Sequence, residues 1–507
     1  MTIIQAADVA TDLTADCGAV IVGTGAGGAT MAAELAEAGI DVVMIEEGGY
    51  HTTQTFTAES VRALRTLYRD GGGGMTIGRP SVLFAEGRCV GGSTVVNGGM
   101  SWRTPPRVLA RWATEVDAVT EADMDPYFAE VESRLHVALQ DPGTIGRDSE
   151  LLKAGADVLG WQIVPNRRNQ LHCAGTNNCN NGCPTGAKQS MLLTSVPRAL
   201  AAGARLYADC RVTRVTETGV LCRFRTGQEL PGHTLAVRAK VVIVAGGAIQ
   251  TPALLRRSGI SSPSRQLGRN LALHPNANVI AFFDEEVTGW HGVHQAFQVR
   301  EFMSDGIIVT ANNLAPPMLA AMMPGHGREL GELMADYNQV VTAGPLVQDT
   351  GTGRVRTVPG AGPQVFYHLA DRDAARLSRG VELTAQAMFA AGAKRVILPF
   401  DGVPPARSLG EVKGVLAHPV RRRSLSRSVR QPMKLYSIHL MGTARMSEDP
   451  RRGVVNSFGE FHGRPGLFVA DASLFPTPTG LNPMETIVAL AVRNARHLIE
   501  QRRQYAL

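Results

Sequence analysis

The chain has 507 residues, enough for two or three domains, and its 44% hydrophobic and 19% charged residues exclude a disordered, collagen-like or coiled-coil protein. Lys and Arg number 51 against 45 Asp and Glu, and a formal net charge of +6 over this length implies no nucleic-acid partner. Apolar runs such as Val241 to Ala245 fall far short of the roughly 20 residues a membrane span needs.

The stretch before Cys17 is acidic and has neither a basic region nor a twin-arginine pair, so no export signal is read and the expected location is cytoplasmic. Seven Cys, an odd number in such a chain, argue against a disulfide framework. Ala19-Val20-Ile21-Val22 reads as a buried parallel strand, Gly23-Thr24-Gly25-Ala26-Gly27-Gly28 as a tight turn, and Ala29 to Ala38 as a helix ending at Gly39. A second strand, Val42 to Ile45, ends in Glu46. This is a full dinucleotide fingerprint. Gly23 makes the turn, Gly25 lets a pyrophosphate approach the helix N-terminus, Gly28 permits close helix–strand packing, and Glu46 is placed to accept hydrogen bonds from a ribose. The motif alone does not separate NAD from FAD.

A second glycine-rich loop runs from Gly87 to Met100. Next comes a cysteine loop, His172 to Lys188, with the spacing C-x5-C-x3-C-P at Cys173, Cys179 and Cys183. Ala245-Gly246-Gly247-Ala248-Ile249-Gln250-Thr251-Pro252-Ala253-Leu254-Leu255, running on to Ser258-Gly259-Ile260, is a third signal. Between 276 and 430 no signature appears; Asp371 to Ala391 reads as a helix, Gly351 to Gly353 and Pro359 to Gly362 as turns. Gly289 to Gln295 and Met318 to Met323 are candidates to line a pocket. Arg421 to Arg430 is the one dense basic stretch and reads as a solvated loop. The C-terminal part carries His439-Leu440-Met441-Gly442-Thr443, Leu467 to Ser473, and Asn482-Pro483-Met484-Glu485-Thr486-Ile487.

Together, in this order and spacing, these motifs resemble the glucose–methanol–choline (GMC) family of FAD-dependent alcohol oxidases and dehydrogenases. The resemblance implies an α/β fold: a discontinuous, Rossmann-like FAD-binding domain from residues 15–130, 190–275 and 431–507, a lid and cysteine loop at 131–189, and a substrate domain with an antiparallel sheet at 276–430. It implies non-covalent FAD, since the loop near Ser93 has no His and Cys89 precedes the glycine pair. Gly92, Asn97 and Gly98 would lie along the isoalloxazine, Val212 at the adenine and Asp471 near the ribityl and pyrophosphate. Met484 and Thr486 would open a helix whose dipole favours negative charge at flavin N1 and the C2 carbonyl. His439 matches the residue that accepts the substrate hydroxyl proton. Asn482, which cannot titrate, would orient the alcohol oxygen. His274, in Leu273-His274-Pro275, matches a family pattern too and reads as structural.

The cysteine loop resembles loops of long-chain alcohol oxidases and of sugar dehydrogenases that hold a 3Fe–4S cluster on three thiolates. A loop without metal is the favoured reading, with the cluster on Cys173, Cys179 and Cys183 as the alternative; C-x5-C is wide for zinc. The expected reaction is oxidation of an alcohol, a sugar, aminosugar, other secondary-metabolite hydroxyl or fatty alcohol, to a carbonyl by hydride transfer to flavin N5. The electron acceptor, whether dioxygen, a quinone or a redox protein, stays open. The alternative function is a flavoprotein that oxidises nothing, such as a lyase, or an electron-transfer subunit.

Overall fold

Residues Ala19 to Val22 have parallel neighbours on both sides, which is why every one of them is apolar. In the computed structural model, which describes residues 2–225, 232–351, 353–358, 361–417 and 433–507, the strand Leu13–Val22 lies between Val42–Ile45 and Thr234–Val244, with Ile21 level with Met44 and with Ile243. The strand begins six residues earlier than its apolar run because Leu13 to Cys17 pair with Leu235 to Ala239 while keeping exposed polar positions. Eight strands form this sheet. Thr2–Ile4, Arg205–Tyr207, Val42–Ile45, Leu13–Val22 and Thr234–Val244 follow one another in parallel, Leu467–Val469 adds to Thr234–Val244, and the antiparallel strands Gly219–Phe224 and Cys210–Val215 close the other end.

The Ala-rich helix Ala26–Glu37 packs between the C-terminal helix Met484–Glu500 and Ser195–Ala201. Its small side chains let backbone meet backbone. A Cβ on Gly27 would run into the Ala470 carbonyl, and one on Gly28 into the Gly23 carbonyl. The helix therefore starts at Ala26, with both glycines inside its first turn.

A second sheet of six strands is antiparallel throughout, in the order Arg395–Ile397, Val279–Phe282, Val340–Val347, Ile307–Ala311, Phe297–Val299, Ile163–Pro165. Ile163–Pro165 comes from the segment read as lid, and the preceding helix Arg147–Val158 packs on this sheet, so part of 131–189 is built into the substrate side. The long helix Asp371–Ala390 covers the same face, presenting Leu377, Val381, Ala385 and Met388 at helical spacing. Strand alternation turns Ile307, Val309 and Ala311 to this helical core and leaves Ile308 and Thr310 for the opposite face. A third pairing, Leu435–Ser437 with Val82–Phe84, brings the chain leading to His439 beside the second glycine loop. Arg421 to Arg430 lies outside the described residues, as do two positions of the Pro359 to Gly362 turn.

Replacing Gly27 by Ala should lower unfolding stability by about 1–3 kcal/mol, the usual cost of overpacking, because the Ala470 backbone cannot step aside as a side-chain tip could. Urea unfolding of the flavin-free protein checks this; an unchanged midpoint would show that the helix can shift freely.

Candidate active site

The glycine turn opens one end of a cleft of about 440 Å³ that runs between the two sheets. Gly23 has φ +99°, and no atom lies within 4 Å of where a Cβ on Gly25 would stand. That open space sits at the N-terminus of Ala26–Glu37, whose first N–H groups have no partners within the helix. Across it Gly92, at φ +55°, comes so close that its Cβ would lie 2.8 Å from Gly25 Cα. Two stretches of bare backbone thus form a cradle that side chains would fill, and its free N–H groups suit a pyrophosphate.

On one side of the turn the cleft passes Glu46, Glu47, Arg211 and Val212. Glu46 is buried, which pushes its carboxyl up; one oxygen accepts from the Thr24 N–H (3.0 Å) and hydroxyl (2.8 Å), the other from the Gly48 N–H (3.0 Å). The acid of the fingerprint therefore also braces the turn. Burial alone would push its neighbour Glu47 up as well, but the guanidinium groups of Arg69, Arg211 and Arg225 hold it at about 2. Asp471 joins its own turn to the helix Gly247–Arg257, accepting from Gly247 N–H (2.9 Å), the Thr251 hydroxyl (2.5 Å) and Ser473 N–H (2.8 Å).

On the other side the cleft ends at His439 and Asn482. Nδ2 of Asn482 lies 3.4 Å from Nε2 of His439, and Nδ1 of His439 lies 3.3 Å from Nδ1 of His274, with the two rings edge to face. Gly480 N–H donates to Nε2 of His274 at 3.0 Å. Burial pushes His439 down to about 4, and burial together with His439 holds His274 well below its ordinary value, so both rings are neutral at pH 7. Read from sequence as structural, His274 is in direct contact with His439. The histidine pattern could have signalled this only through its partner, since the two residues lie 165 positions apart.

Of the residues singled out by sequence, Gly23, Gly25, Glu46, Gly92, Asn97, Gly98, Val212, Asp471, Met484, His439 and Asn482 line this one cleft. Gly28 is spent on packing and does not. Thr486 does not either: its hydroxyl is 2.6 Å from that of Thr104, and in the first turn of that helix Met484 and Ile487 are the residues that line the cleft. Asn97 donates to Met484 Sδ (3.0 Å), tying the glycine loop to that helix. Of the two pocket stretches, Met318 and Met322 line the cleft while Leu319 and Met323 face the core; His294 and Gln295 line it while Trp290 stacks on Tyr337 (centroids 4.5 Å apart). Sequence reasoning missed Asn276, Gln298, Thr310, Asn312 and Tyr436. The signal was there for Thr310, a polar residue at an alternate position of an apolar strand.

Cys173, Cys179 and Cys183 border a separate small cavity of about 10 Å³ behind the glycine loop, all with free thiols. Arg168 and Lys188 are buried beside them. Lys188 donates to the carbonyls of Val95 (2.6 Å), Asn97 (2.8 Å) and Cys179 (2.6 Å), and burial lowers it to about 8; Arg168 donates to the carbonyls of Gly98 and His294. The loop thereby clamps the backbone at Val95 to Gly98. Among the described residues no group of three or more His, Cys, Asp or Glu is placed to hold a metal ion, and no helix is long and apolar enough to cross a membrane.

Two GMC oxidoreductase models match the chain, the N-terminal one over residues 64–276 and the C-terminal one over 350–491. An uncharacterized GMC-type oxidoreductase of Mycobacterium tuberculosis is 39% identical over 497 residues, covering 97% of this chain and 77% of its own length. The long-chain-alcohol oxidase FAO4B of Arabidopsis thaliana is 29% identical over 506 residues, 94% of this chain and 66% of that one. In fold, the chain is similar to pyridoxine 4-oxidase from Mesorbium loti, with a TM-score of 0.72 over 95% of this chain and 99% of the other at 20% identity.

One acid beside the cleft yields a pH signature. Glu485 is fully buried in the first turn of Met484–Glu500, and no donor reaches either of its oxygens. Burial, and then the Glu132 carboxylate beside it, push its pKa well up, so it is stored as the acid. A group whose folded pKa is raised holds its proton in the folded state above the pH at which the unfolded chain loses it; stability falls as pH rises from about 4.5 through the raised value. Glu485→Gln removes that dependence. Urea midpoints at pH 5.5 and 9 should differ less in the variant than in the parent; an equal difference would mean that Glu485 does not carry the proton.

Proposed function

Since the chain belongs to the GMC oxidoreductase family, a family of flavoproteins, we propose that its cleft holds FAD non-covalently, in extended form, and that the protein oxidises an alcohol to a carbonyl compound. The observation that carries this reading is the buried, neutral His439 with Asn482 at the inner end of a cleft whose other end is a glycine cradle. The residues fit the cofactor: bare backbone at Gly25 and Gly92 where phosphates need N–H groups, the Val212 strand at the adenine end, and the clamped loop Val95 to Gly98 beside His439. Cys89 is buried and bonds weakly to the Gly92 carbonyl (3.8 Å), outside the cleft lining, and the thiol that does line the cleft, Cys210, belongs to the Val212 strand.

When bound, FAD supplies the acceptor for the hydride of the alcohol carbon. The protein must take the hydroxyl proton and hold the C–H bond in line. His439 takes the proton at Nε2, the nitrogen that faces Asn482 and the cleft, and the Asn482 amide orients the hydroxyl oxygen. The imidazole pair adds a condition. The Gly480 N–H occupies Nε2 of His274, and Nδ1 of His274 lies 3.3 Å from Nδ1 of His439, so the contact fixes the His439 ring with Nε2 turned to Asn482 and the cleft. His274 is therefore a positioning residue for His439, and Asp349 holds it in place by accepting from the Leu273 and His274 N–H groups (3.1 and 3.2 Å).

Anaerobic mixing with an alcohol substrate should bleach the flavin absorbance. His439→Ala should slow that bleaching by about 100-fold or more with flavin still bound, the scale expected for a lost base; Asn482→Ala should slow it less. Stopped-flow reduction at saturating alcohol is the measurement, and a near-normal rate in the His439 variant would remove its assigned role. Acid precipitation should leave the flavin in the supernatant.

A further inference from the structure

Outside the cleft, a run of short strands has one face that the described residues leave open. Arg269–Leu271, Gly353–Thr357 and Pro363–Phe366 pair in that order. Ile77 bridges to Phe366, and two residues before it Met75 pairs with Leu83, which lies level with Tyr436. Residues 74–77 thus join two small sheets into one surface that runs from Arg269 to Ile438. Alternation decides what each side shows. Val82, Phe84, Val355, Val365 and Leu435 turn inward to the core, while Met75, Ile77, Leu83, Arg354, Arg356 and Ile438 turn outward and are exposed. No Asp or Glu occurs in residues 74–84, 269–271, 353–358, 363–366 or 435–438.

Two features set this face apart from ordinary surface. Among the described residues ten large hydrophobic side chains are exposed, and five of them, Met75, Ile77, Leu83, Ile438 and Val358 just past its strand end, stand here, with Met75 at 61%. Single exposed apolar residues need no explanation, but adjoining ones mark a surface that meets something. The second feature is charge. Arg269 lies directly opposite Arg354, Arg356 is two residues further on over the Phe366 ring (5.3 Å), and Arg256 comes from the end of Gly247–Arg257. Burial, with the charges of Arg269 and Arg356, pulls Arg256 down from its ordinary value, and its guanidinium donates only to the Leu267 carbonyl. Among the described residues none of the four forms an ion pair with a carboxylate. Like charges directly opposite one another destabilise a strand pair, and an anion from outside removes that cost.

We infer that this face docks on an anionic lipid surface, with Arg269, Arg354 and Arg356 on the phosphate headgroups and Met75, Ile77 and Leu83 in the acyl boundary. Aliphatic side chains beside arginines suit both parts of such a surface. Leu83 and Ile438 also line the cleft, and Ile438 is the residue before His439, so the face borders the mouth of the cleft at its reacting end. A protein seated there would cap that mouth, whereas a fluid bilayer covers it without closing it. A second copy of this chain offers no complement either: in a two-fold pairing the face meets itself, and it holds no acid for its own arginines.

The test sediments the flavin-loaded protein with sucrose-filled vesicles, either of phosphatidylcholine alone or of phosphatidylcholine and phosphatidylglycerol in equal parts. The mixed vesicles should hold the protein at least about tenfold more tightly than the neutral ones, and added salt should release it. Arg354→Gln with Arg356→Gln, and separately Met75→Ser with Ile77→Ser, should each weaken that binding about tenfold or more. Arg502→Gln with Arg503→Gln removes the same charge from exposed positions at the C-terminal turn and should leave it unchanged. Urea midpoints equal to the parent's show that the variants fold. No retention on the mixed vesicles, equal retention on both kinds, unchanged affinity in either surface variant, or an equal loss in the Arg502 variant overturns the inference. A dimer in solution that the Met75 variant dissolves, without vesicle binding, gives the face to a second copy and overturns it as well.

Discussion

Everything at the site depends on how closely three backbone segments approach at the first glycine turn. A Cβ on Gly23 would run into the Ala245 carbonyl, one on Gly28 into the Gly23 carbonyl, and one on Gly27 into the Ala470 carbonyl. Because those contacts are backbone to backbone, they fix the N-terminal turn, the strand end at Val244 and the C-terminal segment at Ala470 relative to one another with little freedom. Asp471, one residue on, then ties Gly247 and Thr251 into the same joint. The helix that follows from Met484 packs along Ala26–Glu37, and its N-terminal end delivers Asn482 and Met484 to the cleft. A cradle for phosphate at one end and an imidazole–amide pair at the other are thus two consequences of one packing constraint.

The second sheet contributes in another way. Its strands bury one face under Asp371–Ala390 and Arg147–Val158, and period-two alternation then obliges the other face to line the cleft. Such a face would ordinarily be solvated in an antiparallel sheet; here it carries amides bonded to one another, so that their polarity is held in fixed directions. The buried imidazoles follow the same logic. Enclosed and without a carboxylate partner, His274 and His439 stay neutral, which keeps a lone pair on His439 available for proton transfer.

The first nucleotide site was legible because it is local: strand, turn, helix, strand and Glu46 lie within about thirty consecutive residues, and each glycine has a geometric reason that shows in the spacing. The C-terminal motifs were legible through family likeness, which placed His439 and Asn482 at the cleft. The spacing did not show that Thr486, two residues after Met484, turns its hydroxyl to Thr104 on another face of the helix. The contact of His274 with His439 did not show in the sequence because the two lie 165 positions apart. The cleft-lining amides Asn276, Gln298 and Asn312 were hidden for a different reason. Asn and Gln in a loop-rich stretch look like ordinary surface polarity, and only the pairing of Ile307–Ala311 with Val340–Val347 and Phe297–Val299 turns them to one side.

The central claim is that one cleft holds FAD along its length with the reactive ring at His439. A crystal structure of the protein purified with its flavin tests this directly. The account predicts the pyrophosphate over Gly25 and Gly92, the adenine beside Val212, and the isoalloxazine against Asn97 and Gly98 with one face open to Nε2 of His439. An isoalloxazine lying away from His439, or a nucleotide bound with its adenine at that end, would contradict it.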